Sequence, residues 1–311
     1  VRCANQSRPV KQDGVAIITA LLLTTLAIGV VTSLFWHQQV QVRSIENQRL
    51  QLQKQWILRG ALDWARLILR EDRKFSTVDD LTEPWAVPLA DTRLDNYVTS
   101  DAIGSDVASS LLSGSIQDAQ ACLNLSTLAS HGVINPVDVT AFEKLLGALQ
   151  QDTSLAKAAA QQIALTQSHS DSQPGTPRPV AFIQIDDLLS VLGYTPLVIA
   201  ALRNHIVFLP RATPVNINTA SAEVLAARLP QLSNSDISSL MARRRTASFR
   251  DLHEVGTYLP GAPDPDPALL SVATHYFFIN GHIRLQQASL QVQGLVERSG
   301  SATYLLWLRE T

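Results

Sequence analysis

Aspartates are the side chains in this sequence whose grouping points most directly to chemistry. They gather at Asp91, Asp95, Asp101 and Asp106, at Asp186-Asp187, and at Asp264 and Asp266. Loops rich in carboxylate oxygen suit a calcium ion, and the same residues also build ordinary turns. Calcium is therefore a cofactor the pattern is compatible with, and no ligand set is read from it. His253-Glu254 opens like a zinc-protease motif but continues Val255-Gly256-Thr257, without the second histidine. The seven histidines are scattered, and Cys3 and Cys122, the two cysteines, form no zinc cluster. No nucleophile elbow, Walker loop or dinucleotide-binding glycine turn is present. Arg243-Arg244-Arg245 and Arg250 concentrate positive charge, yet the formal net charge of −2 argues against a general nucleic-acid binder. The expectation is a protein that is not an enzyme.

The strongest pattern lies in the N-terminal elements. Residues 15–36 (VAIITALLLTTLAIGVVTSLFW) run 22 positions without a charge. As a helix they span about 33 Å, enough to cross a hydrocarbon core of roughly 30 Å. Arg2, Arg8 and Lys11 precede them, which predicts a cytoplasmic N-terminus and a C-terminal portion on the far side of the membrane. A secretory signal peptide would be shorter and followed by a small-x-small cleavage site. Here the run passes through Leu34, Phe35 and Trp36 into His37 without one. A plain single-pass anchor fits the hydropathy equally well. The join upstream is more specific, because Lys11-Gln12-Asp13-Gly14 meets Val15 with no spacer.

Past the apolar run, residues 37–72 contain no proline and only Gly60 to weaken a helix. Val40, Ile45, Leu50, Trp56, Leu62 and Leu67 recur at mostly helical spacing, with Arg43, Glu46, Arg49, Lys54 and Arg59 on other faces. One helix over residues 15–72 is predicted. Sustained heptads, which a separate coiled-coil stalk would need, are missing.

This N-terminus resembles that of type IV pilin-like precursors. The resemblance implies a leader of residues 1–14, cut by a prepilin peptidase between Gly14 and Val15, and methylation of the new terminus. Most such subunits carry a glutamate at the fifth mature position, thought to pair with a neighbour's N-terminal amine. Here that position is Thr19. A buried carboxylate is costly without a partner, so its absence fits a subunit with no neighbour above it, at a filament tip. Asp118-Ala119-Gln120 with Asn124-Leu125, and Pro214-Val215-Asn216-Ile217-Asn218-Thr219-Ala220, are similar to the minor pseudopilin K family of type II secretion systems. Ala121-Cys122-Leu123 departs from the Gly-Arg-Phe more usual there. The resemblance implies export of folded proteins across the outer membrane, and as partners other minor pseudopilins, the major pseudopilin and the inner membrane, with a periplasmic C-terminal domain. A minor pilin of a type IV pilus is the alternative.

The resemblance and the patterning together predict an α+β fold: a long N-terminal helix packed on an antiparallel sheet, with a large α-helical insertion. The expected parts are the leader (1–14), the helix (15–72, spanning the membrane at 15–36), a strand-and-loop region (73–125), a helical insertion (126–213), a helix-hairpin-helix-like segment (214–265) and C-terminal strands (266–311). A strand is expected near 115–125 and helices at 137–150, 153–165, 186–192, 221–229 and 233–245, the last with Ser233 or Ser235 as cap. Asn280-Gly281 reads as a turn or bulge inside the run 274–285. The segment 214–255 also resembles DNA-binding helix-hairpin-helix modules. Its join, Pro230-Gln231-Leu232-Ser233-Asn234, lacks the glycines whose amides meet phosphate, so nucleic acid is not an expected partner and a membrane-tethered DNA receptor is the rival reading.

Overall fold

The computed structural model describes residues 13–93, 111–167, 180–259, 265–285 and 288–310. The first helix, α1 (Asp13–Phe75), is unbroken over 63 residues. It places Gly14 and Val15 in its first turn; the rest of the leader lies outside the described residues. The chain divides into two compact units, Val1–Ile57 and Leu58–Thr311.

In the first unit, every residue from 15 to 49 is exposed. This is the one described helix long and apolar enough to cross a membrane. Thr19, Thr24, Thr25 and Thr32 return their hydroxyls to carbonyls three or four residues back. Over residues 15–36 the surface is uncharged, and with its hydroxyls satisfied inside the helix it suits hydrocarbon.

In the second unit, Leu62, Ala65 and Leu69 form a buried stripe on α1. Arg73 and Lys74 in the last turn complement the helix dipole. The stripe packs on a five-stranded antiparallel sheet of β1 (Leu89–Arg93), β2 (Leu111–Asp118), β9 (Tyr276–Leu285), β10 (Ala288–Ser299) and β11 (Ala302–Glu310), in that order. Ile116, Phe277, Ile279 and Val296 meet the helix, joined by Trp85. The alternate residues Tyr276, Phe278, Leu295 and Trp307 point to the other face, where they meet Ala119, Val207 and Leu209. The sheet is thus covered by α1 on one side and by the intervening chain on the other.

That intervening chain, residues 119–275, leaves from the end of β2 and returns at the start of β9, and these two strands are hydrogen-bonded neighbours. It is an insertion into one sheet. It contains β3 (Leu123–Asn124), β4 (Ala129–Ser130), β5 (Val133–Ile134), β6 (Ile206–Val207), β7 (Val215–Asn216) and β8 (Leu270–Ser271). β3 pairs parallel with β6, β4 antiparallel with β5, and β7 parallel with β8. Its helices are α2 (Pro136–Ala148), α3 (Ser154–Gln167), α4 (Pro196–Leu202), α5 (Ala222–Arg228), α6 (Asn234–Thr246) and α7 (Leu252–Thr257). They share a core that includes Leu125, Phe142, Leu146, Ile163, Val224 and Phe249. Asn135, Thr195, Ser221, Ser233 and Asp251 cap five of them.

Several expectations change on contact with the fold. The strand expected near 115–125 ends at Asp118, because a 3-10 turn follows at Ala119–Ala121. Residues 186–192 form a 3-10 helix, Ile185–Ser190, in place of an α-helix. Asn280-Gly281 is neither turn nor bulge: both lie inside β9, paired with β2 and β10. Gly281 faces Gly114, where an added Cβ would come 2.6 Å from the Asn280 carbonyl oxygen. Here glycine serves the close approach of two strands. The turn chemistry appears at Gly300 instead, with φ +59 in the β10–β11 hairpin.

Ser233, rather than Ser235, caps α6. It accepts from Asp236 N, while the Asp236 carboxylate accepts from Ser233 N at 2.9 Å. Ser233→Ala should lower stability by about 1 kcal/mol, read as a shift in the thermal midpoint, whereas Ser235→Ala should leave it within error.

Candidate functional site

The two motifs that carried the family resemblance meet in space. Asp118 ends β2 and is buried. Its carboxylate accepts from Gln120 N (2.7 Å), Asn216 Nδ2 (2.8 Å) and Thr219 Oγ1 (2.6 Å). Gln120 Nε2 donates to Pro214 O, and Gln120 Oε1 accepts from His275 N. Asn124 Nδ2 reaches Arg211 O and Thr213 Oγ1, while its Oδ1 accepts from Leu209 N and Ser126 N. Asn218 pairs both ways with the Phe249 backbone. Short polar side chains suit these positions because each must satisfy backbone groups that no regular ladder reaches.

A second cluster adjoins this one. Asn216 Nδ2 also donates to Asp79 O. The Asp79 carboxylate accepts from Thr274 N at 2.7 Å and pairs with Arg298. Arg298, at the end of β10, also pairs with Asp72 at 3.0 Å, donates to Thr274 O and lies 4.7 Å over the Phe277 ring. Burial pushes the Asp72 carboxyl above the usual range, against the pull of Arg298. Burial likewise raises Glu83, against a hydrogen bond from Trp85. The end of α1, the loop after it, β2, β10 and the insertion are thus joined by one buried polar junction. Among the described residues it brings together no nucleophile with a base; what the arrangement does is fix the insertion to helix and sheet.

Sequence reasoning passed over Arg298, Asp72 and Asp79. The signal was present, since Arg298 continues the alternation of Val292, Gly294 and Val296 toward the helix. A charge in phase with an inward apolar row needs a buried partner.

The aspartates picked out by composition behave differently. Asp91 pairs with Arg284, and Asp186 with Arg203. Asp187 accepts from Ile183 N and Gln184 N, and Asp266 from Ala268 N. Each is bonded to its own local donors and they do not converge; Asp95, Asp101, Asp106 and Asp264 lie outside the described residues. The carboxylates that do converge are Asp72, Asp79 and Glu83, and a guanidinium already sits on two of them. That donor set fits Arg298 rather than a calcium ion.

Arg243 donates to Glu254, Tyr258 and Ala247 O, and Arg244 to Ile217 O and Ala220 O. These arginines hold the turn between helices, which removes much of the basic cluster that favoured a DNA receptor. Cys122 is half-buried with its thiol toward Asn204 O, and burial, with Asp118 nearby, pushes it up to about 12.

Two stretches, residues 121–211 and 215–273, match the family described as type II secretion system (T2SS), protein K. They include Asn124, Asn216, Asn218 and Thr219 of the polar junction, while Gln120, Pro214, Thr274 and His275 lie just outside them. Over these stretches, a little under half of its length, the chain is similar to that family. Type II secretion system protein K of Pseudomonas aeruginosa is 28% identical over 243 residues, covering 70% of this chain and 68% of its own. Among solved structures, the GspK-GspI-GspJ complex of enterotoxigenic Escherichia coli superposes with a TM-score of 0.66 at 18% identity, over 86% of this chain and 99% of that one. These likenesses support a minor pseudopilin of the type II secretion system. Its fold is the pilin-like one the sequence led us to expect, with helix, antiparallel sheet and helical insertion.

Proposed function

We propose that this pseudopilin sits at the pseudopilus tip and supports the export of folded proteins without catalysing a reaction. In this reading residues 15–36 cross the inner membrane, with the N-terminus cytoplasmic and the second unit periplasmic. A prepilin peptidase cuts between Gly14 and Val15. The relative from Escherichia coli was solved as a complex with GspI and GspJ, which supports other minor pseudopilins as neighbours here; the major pseudopilin would lie below them.

Thr19 carries the tip assignment. Its hydroxyl donates to Val15 O (3.1 Å) and Ala16 O (3.0 Å), so nothing at that level asks for a neighbour's amine. A glutamate in its place would need one.

Co-expression with and without a prepilin peptidase tests the reading, followed by intact mass and terminal sequencing. The expected product begins at methylated Val15 only when the peptidase is present. A chain left uncut, or cut after Trp36, overturns it. Gold labelling of pseudopili should then mark one end; label spread along the shaft would refute the tip position.

A further inference from the structure

The sheet has two edges, and they differ. β1 is five residues long, irregular in register between Leu89 and Thr92, and tied to β9 by the Asp91–Arg284 pair at 3.2 Å. Short, bulged and charged, it is built as natural edges are when they must stay unpaired. β11 is nine residues long, contains no proline or lysine, and among the described residues is paired on one side only; its register against β10 shifts once, at Leu306. Its ends are engaged. Arg66 donates to Thr303 O (2.6 Å) and Thr303 Oγ1 (3.3 Å), and Arg309 donates to Gln184 and Gln293. Between them Tyr304, Leu305, Leu306 and Leu308 are 38–56% exposed, beside an outer row of backbone groups that no strand among the described residues pairs with.

An extended backbone is what such a row binds, with pockets along the strand reading alternate side chains. A second copy of this chain fits poorly. Antiparallel pairing centred on Leu306 sets each Arg309 against the other copy's Thr303, where Arg66 already sits. Like charges facing one another across a strand pair are destabilising. A different strand, aliphatic along its middle and acidic at the Thr303 end, meets Arg66, which pairs with the exposed Asp63 at 3.0 Å, favourably.

We propose that β11 is a docking edge on which a neighbouring pseudopilin adds such a strand to the sheet. The proposal rests on the assembly reading above for the class of its partner. The full chain in detergent, alone and co-purified with the minor pseudopilins of its own secretion system, is compared by hydrogen exchange. The amides of residues 304–308 that do not already bond to β10 should slow at least tenfold in the complex. Tyr304→Lys with Leu306→Lys, both at exposed positions, should cut the yield of complex at least tenfold and leave the thermal midpoint of the isolated chain unchanged. A complex that forms while 304–308 exchange as in the free chain overturns the docking edge and leaves assembly standing. Failure to form a complex with any minor pseudopilin overturns both. Protection that arises in the isolated chain and grows with its concentration identifies a second copy as the occupant, and overturns the proposal as well.

Discussion

Arg298→Met should destabilise the second unit by about 3–5 kcal/mol, the range for breaking a buried ion pair from one side. Arg298 is 2% exposed and joins Asp72 and Asp79, which are 8% and 1% exposed. Methionine fills the volume and keeps contact with Phe277, but leaves two carboxylates facing each other without a cation. Desolvation of those carboxylates, more than loss of the pair itself, sets the size of the effect. The denaturant midpoint should fall accordingly. Adding Asp79→Asn and Asp72→Asn to the variant should recover part of the loss, because neighbours in one network do not act additively. Arg211→Met is the control. Its partner is Glu297 at 2.6 Å, but its own side chain is 71% exposed, so the cost should stay below about 1 kcal/mol. Equal effects at Arg298 and Arg211 would refute the view that burial makes this junction matter.

Patterns that repeat along the chain were legible in the sequence. Helical spacing gave α1 to within a few residues of its ends, and alternation gave the C-terminal strands. Apolar runs of helical period located α2, α3, α5 and α6, and Ser233 marked the start of the last. What went unread depends on partners far away in sequence. Asn280-Gly281 carries a turn signal that two ladders override. The helices α4 and α7, of seven and six residues, show too few repeats for periodicity to declare, whereas α5, no longer than α4, is bounded by Pro230. The aspartate count pointed to exposed loops, whereas the consequential carboxylates are Asp72, Asp79 and Asp118, isolated in sequence and joined only by folding. The two family motifs marked the right place before any chemistry explained them. Asp118, Gln120, Asn124, Asn216 and Asn218 are the side chains that complete the backbone hydrogen bonding where the insertion meets the sheet.

Asp118 should also leave a signature in the pH dependence of stability. It is buried with no cation bonded to it, and burial pushes its pKa up to about 6, with the hydrogen bonds from Thr219, Thr274, Asn216 and Gln120 limiting the rise. In the unfolded chain an aspartate titrates near 3.9. Between those values the folded state holds the extra proton. The contribution of Asp118 is therefore fully present below about pH 4 and is lost as pH rises through about 6. A proton held more tightly by that margin is worth roughly 2–3 kcal/mol. Asp72 and Glu83 are raised as well, and Asp80 and Glu223 are lowered, so the wild-type profile alone mixes several groups. The difference between wild type and Asp118→Asn isolates one of them, because asparagine does not titrate. Asparagine keeps an acceptor for Asn216 and Thr219 but turns an amide toward the Gln120 N–H, losing one hydrogen bond worth about 1 kcal/mol. At pH 4.5 the variant should be the less stable protein. By pH 7.5 the gap should have closed or reversed, as ionisation of the wild-type carboxyl removes its advantage. Denaturant midpoints for both proteins across that range decide the matter. A constant difference would mean that Asp118 folds already ionised, its charge held by its hydrogen-bond donors, and that the junction carries no proton linkage at this site.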